Sequence, residues 1–249
     1  MRFASILCCL LVSLSMSAQA DWLDQLRKRA ESLMATPSGT ATAAALSDEE
    51  IVRGLKEALA QGSRQAIAQL GRPGGYLNNP SVRIPMPEDL QKVERLLRSL
   101  KQDKLADEFV ATLNQAAEKA VPEAAAILGD SLAKMTLEDA RGILQGPEDA
   151  ATQYFRKSSA GQIRERFLPI VRQATEQAGV TAAYKRLMQR AGPYAQLMGG
   201  QATDLDGHVT DKAMDGLFKM IAEEERRIRK EPLARTSELL KKVFGAVVK

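Results

Sequence analysis

The stretch SDEEIVRGLKEALAQGSRQAIAQL, residues 47–70, carries the pattern that decides the fold class. Ser47 and Glu50 form a capping box, in which each side chain bonds the backbone N–H of the other residue at the start of a helix. The apolar residues that follow recur at helical rather than alternating spacing, at Ile51, Leu55, Leu59, Ile67 and Leu70. The stretch therefore predicts a long amphipathic helix.

Helix signals of the same kind recur along the rest of the chain. Starts are predicted at Pro87, Pro122, Thr136, Pro147, Ser159, Thr181 and Thr210, and a last helix is marked by Leu239, Leu240, Val243 and Phe244. Val82, Ile84 and Met86 alternate as in a strand, but neighbouring prolines would interrupt any ladder. We predict an all-α fold, a bundle of about ten to twelve short and medium helices without significant sheet.

The first 20 residues have the pattern of an export signal. Arg2 supplies a positive charge, residues 6–14 form a short apolar run, and Ala18 and Ala20 place small residues where a signal peptidase cuts. The run is too short for a stable membrane span, although an uncleaved N-terminal anchor is the alternative. We expect cleavage after Ala20 and a periplasmic protein without a transmembrane segment.

Three regions follow from this interpretation. Residues 1–20 are the signal peptide, residues 21–45 a leading helix around Trp22 with a flexible linker, and residues 46–249 a single helical domain. Both cysteines, Cys8 and Cys9, lie in the signal. The mature chain therefore has no disulfide, no thiolate nucleophile and no cysteine metal site.

The net charge of +4 gives limited information about partners. Most of the basic excess lies after Lys219, and the rest of the chain is close to neutral. Nucleic-acid surfaces are more basic and carry interleaved aromatic residues, so we expect no nucleic-acid partner. The basic C-terminus suits weak contact with an anionic membrane surface.

The segment GRPGGYLNNPSVRIPMPEDL, residues 71–90, is the least helical part of the chain. A phosphate-binding glycine loop follows a strand and opens directly into a helix, whereas this segment follows a helix and the next one begins near Pro87. We interpret Gly71 as a left-handed helix end and the remainder as a connector whose Tyr76, Val82 and Ile84 pack inward. Its length leaves contact with a partner or ligand open.

Residues 204–211 combine acidic residues with the only histidine of the chain, His208. A calcium loop with Gly207 at its sixth position would need carboxylates where Ala202 and Ala213 stand, and one histidine without cysteine is a poor zinc site. We predict no metal and no cofactor. Thr210 and Asp211 are expected to cap the next helix.

Three blocks, residues 74–87, 135–155 and 213–244, occur in an order that resembles the DUF4197 family, exported bacterial proteins of unknown function. The resemblance covers residues 46–245. It implies a signal-bearing, all-helical envelope protein, and because the family has no established activity it transfers no catalytic residue.

Polar and aromatic residues beside the turns of these blocks are the candidate ligand- or partner-binding residues: Tyr76, Asn78, Asn79, Arg83, Asp139, Tyr154 and Arg229. One interpretation brings Asp139, Thr152, Tyr154, Arg229 and the 74–80 segment into one cleft. The favoured interpretation makes them capping and packing devices of the bundle.

Three functions stay open. The first is a non-enzymatic periplasmic protein that binds an envelope protein or small ligand through residues 74–87. The second is an envelope hydrolase with a carboxylate general acid among Asp139, Glu224 and Glu225. The third is a purely structural role.

Overall fold

The computed structural model describes residues 47–191 and 204–231, together with positions 234, 235, 237, 239, 241, 243 and 245. The predicted signal peptide, leading helix and linker lie outside the described residues. So do Leu240 and Phe244 of the predicted last helix.

The described secondary structure is helical. In chain order its elements are α1 (Asp48–Leu70), α2 (Glu88–Ser99), α3 (Asp103–Ala120), a 3-10 turn (Val121–Glu123), α4 (Ala124–Ala133), α5 (Leu137–Gln145), α6 (Ala150–Ala178), α7 (Val180–Ala191) and α8 (Leu205–Lys230). No strand occurs among these residues, which confirms the all-α prediction. The described residues contain fewer helices than the ten to twelve predicted for the chain.

Local signals set several helix ends as predicted. At the start of α1 the Ser47 hydroxyl accepts the Glu50 N–H at 3.2 Å, and the Glu50 carboxylate accepts the Ser47 N–H at 3.0 Å. Thr136 and Asp139 form the same reciprocal pair before α5, which ends at Gly146. Each capping box satisfies N–H groups that the first helical turn leaves without a partner.

One long helix replaces two predicted ones. Ser159 was expected to cap a new helix, but it lies inside α6, where its hydroxyl donates to the Phe155 carbonyl of the preceding turn. A serine that bonds the carbonyl four residues earlier leaves the helix intact. α6 therefore runs through Ser159 and Pro169, which lowers the number of helices.

Two further predicted starts are wrong. Gly179 adopts a left-handed φ of 75° at the end of α6, and α7 begins at once with Val180, so Thr181 does not cap it. α8 begins at Leu205 because the Asp204 carboxylate accepts the Gly207 N–H at 2.9 Å. Thr210 is consequently buried within α8, and its hydroxyl has no hydrogen-bond partner in the described part of the chain.

Helix α8 occupies a central position among the described helices. It packs against α6 and α1, while α3 packs against α6 and α7. Four fully buried phenylalanines anchor this core: Phe109, Phe155, Phe167 and Phe218. None of the described helices is both long and apolar enough to span a membrane.

Candidate functional site

The inner side of the segment joining α1 to α2 is part of the core. This segment, residues 71–87, is called the connecting loop below. Tyr76 and Ile84 are completely buried and Val82 nearly so, which confirms that these three side chains pack inward. The Tyr76 hydroxyl donates to the Ala213 carbonyl of α8 at 2.7 Å. Burial raises the pKa of Tyr76, and the negative charge of Glu118 raises it further. Tyr76 is thus a structural anchor.

Glycines of the connecting loop allow it to turn back over the end of α1. The left-handed residue is Gly74, with a φ of 78°, and not Gly71, whose φ is −78°. The prediction for Gly71 is wrong because α1 ends there in right-handed geometry, with the Gly71 N–H still bonded to the Ile67 carbonyl at 2.8 Å. A Cβ atom on Gly75 would lie 2.4 Å from the carbonyl oxygens of Gln69 and Leu70, so only glycine fits there.

The backbone of the turn binds a carboxylate. Gly74 N–H donates to one oxygen of Glu118 at 3.0 Å, and Tyr76 and Leu77 N–H donate to the other at 3.1 Å each. Glu118, on α3, is 6% exposed and has no ion pair with any described residue. Closely spaced backbone N–H groups in such a turn form a concave anion site. The connecting loop therefore does hold an anion, and that anion is a side chain of the same chain.

A second buried side chain of α3 holds the far end of the connecting loop. The Asn114 carbonyl oxygen accepts the Ile84 N–H at 2.8 Å, and its amide donates to the Ile84 carbonyl at 2.9 Å. Asn114 and Glu118 are four residues apart and so lie on one face of α3. Sequence reasoning missed both. The available signal was a pair of polar residues at this spacing within the otherwise apolar face of VATLNQAAEKA, residues 110–120.

Helix α8 holds the connecting loop from the other side. Lys219 donates to the Ser81 carbonyl at 2.8 Å, and a ring nitrogen of His208 lies 3.0 Å from the Pro85 carbonyl oxygen. Burial lowers the pKa of His208, which keeps the ring neutral at pH 7. The half-buried Asn79 stabilises the turn itself, because its side-chain oxygen accepts the Ser81 N–H at 3.0 Å.

Two of the four candidates in the connecting loop remain available to a partner. Asn78 and Arg83 are exposed, and neither side chain has a hydrogen bond or ion pair with a described residue. Both line a shallow hollow of about 620 Å³ between the connecting loop and α3. The connecting loop thus has an inner side that is bonded to the rest of the protein and an outer edge whose polar side chains have no bonds to described residues.

The other candidates lie away from this hollow. Asp139 belongs to the capping box of α5, and hydrogen bonds from the Thr136 backbone and hydroxyl lower its pKa. The Tyr154 hydroxyl donates to the Ser131 carbonyl at 3.2 Å, and burial raises the pKa of this half-buried phenol. These contacts are capping and packing contacts.

Arg229 and Thr152 meet at a second buried carboxylate, that of Glu225. Glu225 accepts the backbone N–H groups of Ala151 and Thr152 at 3.0 Å each and the Thr152 hydroxyl at 2.9 Å. Arg229 forms an ion pair with it at 2.8 Å and also donates to the Ile143 carbonyl at 2.8 Å. Glu225 therefore caps the start of α6 from α8.

The three carboxylates of the hydrolase hypothesis have separate partners. Glu224 contacts Arg227 at 3.0 Å and Gln69 at 3.5 Å, while the neighbouring Glu225 and the distant Asp139 serve as caps. Within residues 47–191 and 204–231, no three His, Cys, Asp or Glu side chains are grouped in a way that would hold a metal ion.

Comparison with known proteins finds a family match. No curated protein and no solved structure matches the chain. The model of a family described as "protein of unknown function (DUF4197)" matches residues 45–245, a range that includes the connecting loop, the buried carboxylates of Glu118 and Glu225 and all the described helices. The match covers most of the 249 residues. The chain therefore belongs to the DUF4197 family.

Proposed function

We propose that the protein is an exported, non-enzymatic binding protein of the cell envelope that recognises a partner or small ligand through the outer edge of the connecting loop. The observation that carries this proposal is the contrast between the two sides of the loop. Its inner side has tethers to Glu118, Asn114 and α8, whereas Asn78 and Arg83 on its outer edge have no bonds to described residues.

Rigid anchoring of this kind favours recognition. A loop that is already held in one conformation loses little conformational entropy when it binds, so more of the contact energy appears as affinity. Arg83 offers a planar group with five N–H donors, and the Asn78 amide offers both a donor and an acceptor. Both side chains face the same hollow against α3.

The hydrolase alternative has weaker support. A general acid at neutral pH needs a raised pKa and a proton that it can release to a substrate. The pKa of Asp139 is instead lowered by its capping bonds. Glu225 accepts three hydrogen bonds from the start of α6 and is paired with Arg229. These bonds suit Glu225 to capping α6, and they leave it poorly placed to transfer a proton to a substrate.

Site-specific photo-crosslinking in cells tests the proposed function. A photoreactive amino acid is placed at position 78 or 83 of the full-length protein, and at position 165 as a control. Glu165 is exposed on α6 and lines none of the hollows beside the connecting loop. We expect specific adducts from positions 78 and 83 only. Equal adduct patterns at all three positions, or none at positions 78 and 83, would contradict the proposal.

A further inference from the structure

Three hollows on the solvent-facing side of the connecting loop adjoin one another through shared lining residues, and we treat them as one depression. The middle hollow lies against α3 and shares Arg83 with a smaller hollow of about 210 Å³ beside α8. On its other side it shares Lys104 and Glu108 with a hollow of about 440 Å³ between α3 and α7. We call this depression the basic groove.

Cations predominate along the basic groove. Its lining includes six basic side chains: Arg83, Lys104, Arg186, Arg190, Lys212 and Lys219. Three acidic side chains, Asp107, Glu108 and Asp215, line the groove with them, so basic residues outnumber acidic ones two to one. Asp215 is paired with Arg156 at 3.4 Å, outside the groove, whereas Asp107 shares Arg98 with Glu94 and Asp103.

Five of the six cations form no hydrogen bond or ion pair with a described residue. None of the six forms an ion pair with a residue that the structure describes, and only Lys219 uses a donor, on the Ser81 carbonyl. Exposed arginines outside the groove include paired ones, such as Arg164 with Asp211 at 3.0 Å, and ones without an ion pair to a described residue, such as Arg166. A row of unpaired like charges raises the free energy of the unbound protein, and an anionic ligand would relieve that repulsion.

Uncharged residues of the basic groove define the shape and chemistry of such a ligand. Leu77, Leu105 and Ala111 provide apolar contacts between the cations, and the Asn78 and Gln189 amides can bond a peptide backbone. No aromatic side chain occurs among the described lining residues. Grooves that bind single-stranded nucleic acid commonly use aromatic side chains for stacking against bases. The arrangement therefore suits a polypeptide.

From these observations we infer that the basic groove binds an extended, acidic polypeptide segment of a partner protein. The inference rests on the proposed function and extends it, because it assigns the partner a chemical class and adds α3, α7 and α8 to the surface. The span from Lys104 to Ala111 on α3 rises about 10 Å, which equals about three residues of extended chain. The neighbouring hollows lengthen the site beyond that.

Fluorescence polarisation with a synthetic probe tests the inference. The probe is a labelled eight-residue peptide of alternating Glu and Leu, and its counterpart alternates Lys and Leu. We expect the protein to bind the acidic peptide alone, with an affinity that falls as salt rises from about 0.05 to about 0.5 M. A single-stranded oligonucleotide of eight nucleotides serves as a second anion, and equal or tighter binding of it would overturn the polypeptide assignment.

Charge-reversal variants locate the binding. The double variant Arg186→Glu, Arg190→Glu and the single variant Arg83→Glu should each weaken binding at least about tenfold. The matched control is Arg166→Glu, which changes an exposed arginine on α6 that lies outside the basic groove and has no ion pair with a described residue. It should bind as the wild type does. All variants are first shown to be folded by their thermal melts.

The outcomes separate this inference from the proposed function. If the acidic peptide does not bind at about 1 mM, or binds the Arg186→Glu, Arg190→Glu variant as well as the wild type, the basic groove is not a polypeptide site. Crosslinks at positions 78 and 83 would still support the proposed function in that case. Loss of those crosslinks would instead remove the proposed function and the inference built on it.

Discussion

Two buried glutamates join distant parts of this protein in different ways. Glu118 holds the connecting loop with three backbone N–H groups and has no ion pair with a described residue. Glu225 holds the start of α6 with two backbone N–H groups and a hydroxyl, and it also pairs with Arg229. Both carboxylates are nearly inaccessible, at 6% and 5% exposed.

The difference shows how a turn can replace a cation. The left-handed Gly74 and the tightly packed Gly75 allow three N–H groups to converge on one carboxylate. The straight start of α6 offers Glu225 only two, and the Thr152 hydroxyl and the Arg229 guanidinium supply the remaining donors. Buried carboxyl groups need several strong donors to offset lost hydration, and glycine geometry is one way to provide them.

Removal of the Glu118 carboxylate should have the largest effect. Glu118→Ala leaves three N–H groups, one buried and two partly buried, without an acceptor, and we expect a loss of about 4 kcal/mol in the free energy of unfolding. Glu118→Gln keeps one acceptor oxygen and should lose less. Urea denaturation measures both. Glu123→Ala changes an exposed glutamate just beyond α3 and should stay within about 0.5 kcal/mol of wild type. A similar loss in Glu118→Ala and Glu123→Ala would contradict the role of Glu118.

A double-mutant cycle tests whether the cation matters only at Glu225. Glu225→Gln and Arg229→Met should each cost about 3 kcal/mol, because each leaves a buried group unpaired. The double variant should lose about 2 kcal/mol less than the sum, which is the coupling of a direct pair. Glu118→Gln combined with Arg229→Met should be additive, because the two residues share no partner. Coupling in that second pair would show that the two sites are not independent.

Glycine replacements test the turn that substitutes for a cation. Gly74 and Gly179 both have left-handed φ values, 78° and 75°, but a Cβ on Gly74 would meet the Asn78 side chain whereas one on Gly179 meets nothing within 4 Å. Gly179→Ala should cost about 1 kcal/mol from backbone strain, and Gly74→Ala about 2 kcal/mol because the Glu118 contacts shift as well. Thermal denaturation compares the two. Equal losses would mean that the turn tolerates a side chain.

The smallest expected effect is a dependence on pH at the end of the connecting loop. Burial lowers the pKa of His208 and Lys212 adds to the lowering, whereas the hydrogen bond to the Pro85 carbonyl and the charges of Asp211 and Glu88 oppose it. The unfolded chain therefore binds more protons, so stability is complete above about pH 6.5 and falls as the pH drops below it. His208 is the one histidine of the chain. When the pH falls from about 7 to about 5, the free energy of unfolding should therefore decrease less in His208→Gln than in the wild type, and the two decreases should differ by less than about 1 kcal/mol. If the free energy of unfolding depends on pH in the same way in both proteins, the role of His208 is contradicted.

Sequence patterns predicted the features that depend on neighbouring residues. The capping boxes at Ser47 and Thr136 join groups three residues apart, and inward packing of Tyr76 and Ile84 follows from their apolar character in an otherwise polar turn. The predicted helix starts at Ser159 and Thr210 were wrong because other local hydrogen bonds formed instead. The Ser159 hydroxyl bonds the preceding turn instead of capping a new one, and Asp204 caps α8 before Thr210 is reached.

The candidate site was predicted only in part, because its function depends on contacts between distant residues. Asn78 and Arg83 were identified and lie at an exposed edge, whereas Tyr76 is inside the protein. Glu118 was missed because its partners lie 41 to 44 residues earlier in the sequence. No pattern around Glu118 alone shows that a distant glycine turn will supply its hydrogen bonds.

The tethers of the connecting loop also determine when it can take its final form. Its bonds to α8 span 137 residues from Tyr76 to Ala213 and 138 residues from Ser81 to Lys219. Its bonds to α3 span 30 residues from Ile84 to Asn114 and 41 to 44 residues to Glu118, so they close shorter stretches of chain at a lower entropic cost. Before α8 has packed, α3 can already hold the loop, through Asn114 and Glu118. Glu118 can therefore hold the connecting loop in place before α8 packs against it and completes this surface.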